Sequence, residues 1–169
     1  ILEAAFAGLA QQTSVKLGHE TAWPVFLAAG LVVTIFTQTS SATLALVITA
    51  AAGGLLTLEA GAAAVVGANL GSTSTALFAS LKATPNAKRL ATGHVFFNAF
   101  TGLVALALFP VILAGVDALA GWLHFGGDIG SELALFHTLF NCLGVVLVLP
   151  FSGVLARWLE GQFRSFEED

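Results

Sequence analysis

Residues 21–58 read TAWPVFLAAGLVVTIFTQTSSATLALVITAAAGGLLTL and fill the longest charge-free stretch of the chain, from Glu20 to Glu59. A helix needs about 20 apolar residues to cross a hydrocarbon core roughly 30 Å thick. The stretch has room for two helices, yet its centre, Gln38-Thr39-Ser40-Ser41, is polar and uncharged. The arms on either side, 23–37 and 42–56, each come to about 22 Å at 1.5 Å per residue. That is short of a full crossing. The pattern predicts a re-entrant helical hairpin over 22–57 with its polar tip deep in the protein. Two short spans joined by a tight turn is the other arrangement it allows. Either way the chain returns to the side it started from.

The rest of the chain follows the same logic. Further charge-free runs lie between Glu59 and Lys82, Arg89 and Asp117, and Glu132 and Arg157, and each fits one crossing. The expected units are a helix over 59–81 and transmembrane helices over 90–115 and 132–156. A loop follows Asp117 up to Ser131, with a short interfacial helix around Trp122. Residues 157–169 read as an amphipathic tail, and 1–20 as a preceding helix end or interfacial segment. The fold class is thus an all-α polytopic membrane protein. Only 9% of its 169 residues are charged and 57% are apolar, whereas a soluble domain carries about 25% charged residues. No basic stripe suggests nucleic acid.

Charge placement also gives orientation. Lys82, Lys88, Arg89, Arg157 and Arg164 fall on one side of this topology and only Lys16 on the other. Positive residues concentrate in cytoplasmic loops. The loop 82–89 and the C-terminus are therefore expected in the cytoplasm, with the chain in the cell membrane. Cys142 stands alone, which excludes a disulfide framework and a Cys-based metal site. The chain starts at Ile1 and has no Met, so it is expected to be part of a longer one.

Two segments invite irregular backbone at membrane depth. One is Gln38–Thr43. The other is Gly67-Ala68-Asn69-Leu70-Gly71-Ser72-Thr73-Ser74-Thr75, in the middle of its span. Glycine favours irregular backbone, and Asn and Ser favour helix ends over interiors. The helix over 59–81 is accordingly expected to be discontinuous, its break facing the hairpin tip at the midplane. A broken helix offers N–H groups to an oxyanion and bare carbonyls to a monovalent cation. Candidate ligands are Gln38, Thr39, Ser40, Ser41, Thr43, Asn69, Gly71, Ser72 and Thr73, with sodium met by oxygens of Gln38, Ser40, Ser41 and Asn69. Small and hydroxyl residues also serve close helix packing, and the Gly67/Gly71 pair fits both readings.

An internal echo adds four polar positions. His94-Val95-Phe96-Phe97-Asn98 recurs as His137-Thr138-Leu139-Phe140-Asn141, and each copy opens an apolar run that reaches a proline, Pro110 or Pro150. At i, i+4 the His and Asn share a helix face. They read as support for the site or as a helix–helix clamp.

These motifs, in this order, resemble the type II sodium-dependent phosphate cotransporter family. Gln38–Ala42 resembles its Gln-Ser-Ser-Ser signature, with Thr39 where Ser is usual. Gly67–Thr73 resembles its Gly-Ala-Asn-x-Gly-Thr-Thr element, with Ser72 in place of Thr. Arg89 and His94–Asn98 resemble its following helix, and His137–Pro150 the closing helix of bacterial members. The resemblance covers roughly 22–160. It implies sodium-coupled symport of inorganic phosphate by alternating access, with sodium as coupling ion, no other cofactor and no enzymatic activity. It also implies that the chain is one half of an inverted-repeat pair, the C-terminal one. The other repeat would come from a missing N-terminal part or from a second copy, and a homo-oligomer is a further partner. A carboxylate or sulfate as the anion, or a scaffold subunit whose small residues only pack helices, are the competing functions.

Overall fold

The computed structural model describes residues 23–163, with Ala4 and Gly8 as isolated positions before them. The segment expected over 1–20 and the last part of the tail, 164–169, lie outside the described residues. Seven α-helices follow one another: α1 (Trp23–Thr37), α2 (Ser40–Ala52), α3 (Leu58–Ser80), α4 (Pro85–Ala107), α5 (Phe109–Trp122), α6 (Ile129–Val148) and, after a 3-10 turn at Leu149–Phe151, α7 (Ser152–Gln162). Among the described residues, three stretches are long and apolar enough to cross a membrane: α3, α4 and the run from Ile129 to Gln162.

α3 is the central element, touching α1, α2, α4 and α6. Every residue from Ala60 to Asn69 is buried. They are Ala, Gly and Val apart from Asn69 itself. Such small side chains let neighbouring backbones come close on all sides, which is how helices associate when lipid removes the hydrophobic drive. The outer helices carry the bulk instead. Phe96, Phe100 and Leu103 stand exposed on α4, and Val145, Val146 and Leu149 on and after α6.

The tightest seam joins α1 to α3. A Cβ on Gly67 would fall inside the carbonyl of Leu27, and one on Gly30 inside the carbonyl of Ala64. On Gly71 it would sit 2.6 Å from Leu31 O and 2.8 Å from Thr34 Cβ. The matched progression, Leu27 with Gly67 and Leu31 with Gly71, means that α1 and α3 run parallel. The α3–α6 seam is parallel as well, with Gly61 against Leu133 and Asn69 against Asn141.

Local signals place the helix ends. Thr57 accepts from Ala60 N and starts α3, and Thr84 accepts from Ala87 N ahead of Pro85 to start α4. Thr34 and Thr43, fully buried, join the two arms of the hairpin side chain to side chain.

Three expectations are corrected. α3 is continuous from Leu58 to Ser80, so the helix over 59–81 has no break. The hydroxyls that suggested one are satisfied within the helix: Ser72, Thr73 and Ser74 donate to the carbonyls of Asn69, Leu70 and Gly71. Next, the span drawn over 90–115 ends at Ala107 and α5 begins at Phe109. Pro110 has no N–H to give to Leu106, so the helix cannot continue in register. Helix therefore covers 117–122 of the expected loop segment, and the short helix expected around Trp122 is the end of α5. Finally, Pro150 acts in the same way on the span drawn over 132–156, which ends at Val148 and gives way to the 3-10 turn. α7 therefore starts at Ser152, ahead of the tail expected from 157.

α7 runs beside the N-terminal part of α4. Phe96 meets Trp158 edge to face at 5.5 Å, Leu159 is buried, and Arg89 Nη2 donates to Glu160 O at 3.4 Å. Lys82, Lys88, Arg89 and Arg157 thereby share one end of the bundle.

The α1–α3 seam is testable. Gly67→Ala should lower stability by about 1–3 kcal/mol, because the intruding methyl meets backbone that has no rotamer to yield. Gly115→Ala, where no atom lies within 4 Å, should be neutral or stabilising by up to about 1 kcal/mol. Thermal unfolding of the detergent-solubilised protein reads both. Equal stability of the two variants would refute the seam.

Candidate functional site

α1 ends and α2 begins within two residues, Gln38 and Thr39. Gln38 makes the turn in the left-handed region, with φ 59°. A β-carbon in that region costs about 1–2 kcal/mol, so the turn is held by its surroundings. Gln38 N donates to Thr34 O at 2.8 Å, and its side-chain Nε2 donates to Ile35 O at 2.7 Å. The side chain thus closes the C-terminus of α1 and leaves Oε1 as a remaining acceptor.

The start of α2 is not closed in this way. Thr39 occupies the N-cap position in extended conformation (φ −147°, ψ 117°), but its hydroxyl accepts no amide of the first turn. A helix leaves its first N–H groups without intrahelical partners, so the amides of Ser40, Ser41 and Ala42 face outward from the tip. Gln38, Thr39 and Ser41 are exposed, Ser40 is half-buried and Thr43 is buried.

Oxygens gather behind the turn. Thr34 Oγ1 donates to Thr43 Oγ1 at 2.8 Å. Thr37 Oγ1 lies 3.4 Å from Thr43 Oγ1 and donates to Thr39 O at 3.2 Å. Thr75 Oγ1 of α3 reaches Gln38 O at 3.5 Å. The structure therefore brings Gln38, Thr39, Ser40, Ser41 and Thr43 together, and adds Thr34, Thr37 and Thr75. Sequence reasoning passed over Thr34 and Thr37. Their spacing at i, i+3, leading straight into the polar turn, was the available signal.

The α3 candidates divide. Gly71 is a close-packing residue against Leu31 and Thr34. Ser72 and Thr73 are half-buried with their hydroxyl protons committed to their own helix. Asn69 does not meet the hairpin tip. Its Nδ2 donates to Asn141 Oδ1 of α6 at 3.1 Å. The tip instead lies level with Thr75, about 9 Å farther along the α3 axis at 1.5 Å per residue. The expected apposition of the two polar segments is corrected accordingly.

The His–Asn echo resolves into one repeated contact. Asn98 Nδ2 donates to His94 O at 3.0 Å, and Asn141 Nδ2 to His137 O at 2.7 Å. The main-chain carbonyl, not the imidazole, is the partner in both copies. Only Asn141 continues the chain across helices, to Asn69. His94 lines a separate groove of about 760 Å³ with Arg89, Phe97, Ser152 and Leu159, between α4 and the bend at Pro150. Among the described residues no three His, Cys, Asp or Glu side chains cluster as a metal site.

The buried hydroxyl pair yields a prediction. Thr43→Val leaves the Thr34 hydroxyl without its acceptor and should cost about 1–3 kcal/mol. The double variant Thr34→Val/Thr43→Val should cost clearly less than the sum of the two single changes, since no orphaned hydroxyl remains. Thermal unfolding of all three variants checks this, and strict additivity would contradict it.

A 29% identical relative over 140 residues is the protein of Salmonella typhimurium named "Putative inorganic phosphate export protein YjbB". Another, 26% identical over 139 residues, is "Uncharacterized protein YqeW" of Bacillus subtilis. Each match covers 82% of this chain, but only 24% of the first relative and 43% of the second. No solved structure matches. The family model for the Na+/Pi-cotransporter matches residues 5–143, and with most of its length inside that match the chain belongs to the Na+/Pi-cotransporter family.

Proposed function

We propose that the chain forms one half of a transporter that couples inward sodium movement to uptake of inorganic phosphate. The observation that carries this reading is the hairpin tip. At Gln38–Thr39 the open amides of α2 stand beside the carbonyls and hydroxyls that end α1. Helix N-termini hold oxyanions, since N–H groups and the dipole both favour negative charge. Sodium takes hard oxygen ligands, and carbonyls with threonine hydroxyls supply them. No carboxylate stands in the segment to repel an anion.

The hairpin geometry supports a re-entrant loop. α1 and α2 have 15 and 13 residues, about 22 and 20 Å, against a core of roughly 30 Å. Starting level with the beginning of α3 and running parallel to it, α1 turns before α3 ends. The proposed phosphate and sodium ligands are Gln38, Thr39, Ser40, Ser41 and Thr43, with Thr75 added and Asn69, Ser72 and Thr73 farther along. The basic end of the bundle faces the cytoplasm in this reading, and the exposed tip meets a second, inverted repeat. Alternating access then opens the tip to one side at a time.

Radiolabelled phosphate flux in proteoliposomes holding the full-length protein tests this. An inward sodium gradient should drive accumulation, and an equal potassium gradient should not. Gln38→Ala and Ser40→Ala should abolish the sodium-dependent part while the protein still inserts. Normal kinetics in both variants would sink the site assignment. Flux that sulfate or a dicarboxylate competes away would change the anion, and sodium-driven efflux would reverse the direction to that in the name of the Salmonella relative.

A further inference from the structure

Asn69 is the most deeply buried of the site residues proposed on α3, 7% exposed, and its amide has two ends of opposite character. Which end meets a ligand decides whether the residue suits a cation or an anion. The contacts on the α6 side determine this. Asn141 lies 2.7 Å from the carbonyl of His137. A carbonyl can only accept, so the group of Asn141 facing it must be the NH₂. Its Oδ1 then points across to α3. An oxygen there accepts, so Asn69 must present its own NH₂, at 3.1 Å. Reversing Asn69 would set two amide oxygens against each other in a protein interior, where an unmatched polar contact is most costly.

The polarity therefore runs in one direction, from Asn69 through Asn141 to the main chain of α6, and it leaves Asn69 Oδ1 as the free end. Among the described residues no donor reaches that oxygen. It is also not one of the described side-chain atoms that are both sealed and partnerless. An outward amide oxygen repels a bare oxyanion and suits a hard cation.

We propose that Asn141 is a positioning residue, which holds the amide of Asn69 with its oxygen outward so that Asn69 serves as a sodium ligand and not as a phosphate donor. The inference rests on the sodium-coupled reading above. The second half of the His–Asn echo thereby gains a role that the first half, Asn98 on His94, does not share.

Initial-rate phosphate uptake by the full-length protein in proteoliposomes, titrated separately with sodium and with phosphate, tests the proposal. Asn141→Ser can return its hydroxyl to His137 O, as other hydroxyls in this chain do to carbonyls of their own helices, but is too short to hold Asn69. It should raise the sodium concentration for half-maximal uptake about tenfold, the usual scale for losing a residue that orients a ligand. Half-saturation by phosphate at saturating sodium should change less than about twofold. Asn69→Ala should shift sodium dependence similarly, and adding Asn141→Ser to it should shift it no further.

A shift in phosphate half-saturation with sodium unmoved would overturn the proposal. So would additive effects in the double variant. If Asn141→Ser fails to insert, the Asn69→Ala titration still decides, because a phosphate shift there refutes the cation role. Wild-type uptake that ignores sodium would remove the coupling reading itself. Sodium-dependent wild-type uptake with unmoved variants would remove the roles given to Asn69 and Asn141 and leave the coupling reading standing.

Discussion

The close approach of α1 to α3 is the constraint on which the rest of the structure depends. In lipid, burying apolar surface between helices gains little over leaving it against acyl chains, so association rests on contact density. Gly30, Gly67 and Gly71 let two backbones meet where any side chain would intrude. This seam does more than hold helices together. It fixes the register of α1 along α3, and with it the depth at which the hairpin turns. Gln38 comes level with Thr75 because Leu27 sits on Gly67 and Leu31 on Gly71. Sliding the seam by one turn would move the tip by about 5 Å and part its polar groups from α3.

Hydroxyl groups inside such a bundle have two ways to be satisfied, and the chain uses both. Ser72, Thr73, Ser74, Ser80, Thr101 and Thr138 donate to carbonyls of their own helices. That arrangement makes a polar side chain compatible with a regular helix at any depth. Around the turn the pattern changes. Thr34 donates to a residue of the other arm, Thr37 to the carbonyl of Thr39, and Thr75 to the carbonyl of Gln38 in the turn. The hydroxyls that reach beyond their own helix are thus gathered at the one place where the backbone between α1 and α2 leaves the helical path.

This difference explains what was legible in the sequence. The charge gaps located the three long apolar stretches, since a charge inside hydrocarbon is costly whatever the packing. The polar, uncharged run at Gln38–Ser41 marked a turn, because two short arms flank it. The run Gly67–Thr75 was misread as a break. Its composition suits irregular backbone and close-packed helix equally, and only three-dimensional neighbours separate the two. Leu27 and Leu31 are distant in sequence and carry no polar signal that would reveal their carbonyls as the partners of Gly67 and Gly71. The pairing of Asn69 with Asn141 was hidden for the same reason. Pro110 and Pro150 were seen as the ends of apolar runs, but a missing donor that interrupts one helix does not stop another from starting, and α5 and α7 follow.

The proposed function gains a mechanism for coupling from the tip alone. The carbonyl end of α1 and the amide end of α2 meet at Gln38–Thr39, so a cation and an anion held at the tip, as proposed, would be neighbours. Two unit charges about 4 Å apart interact by about 4 kcal/mol at an effective dielectric of 20. Even a fraction of that reaches the range of 1–3 kcal/mol typical of coupling between sites. Each ion then raises the affinity for the other, and linkage makes the effect reciprocal. Gln38 sits at the junction. Its Nε2 occupies a carbonyl of α1, and releasing that bond for a cation would alter the same turn that presents the amides of α2 to an anion. In the proposed function a left-handed Gln at this point would connect the two ions through the backbone as well as through their charges.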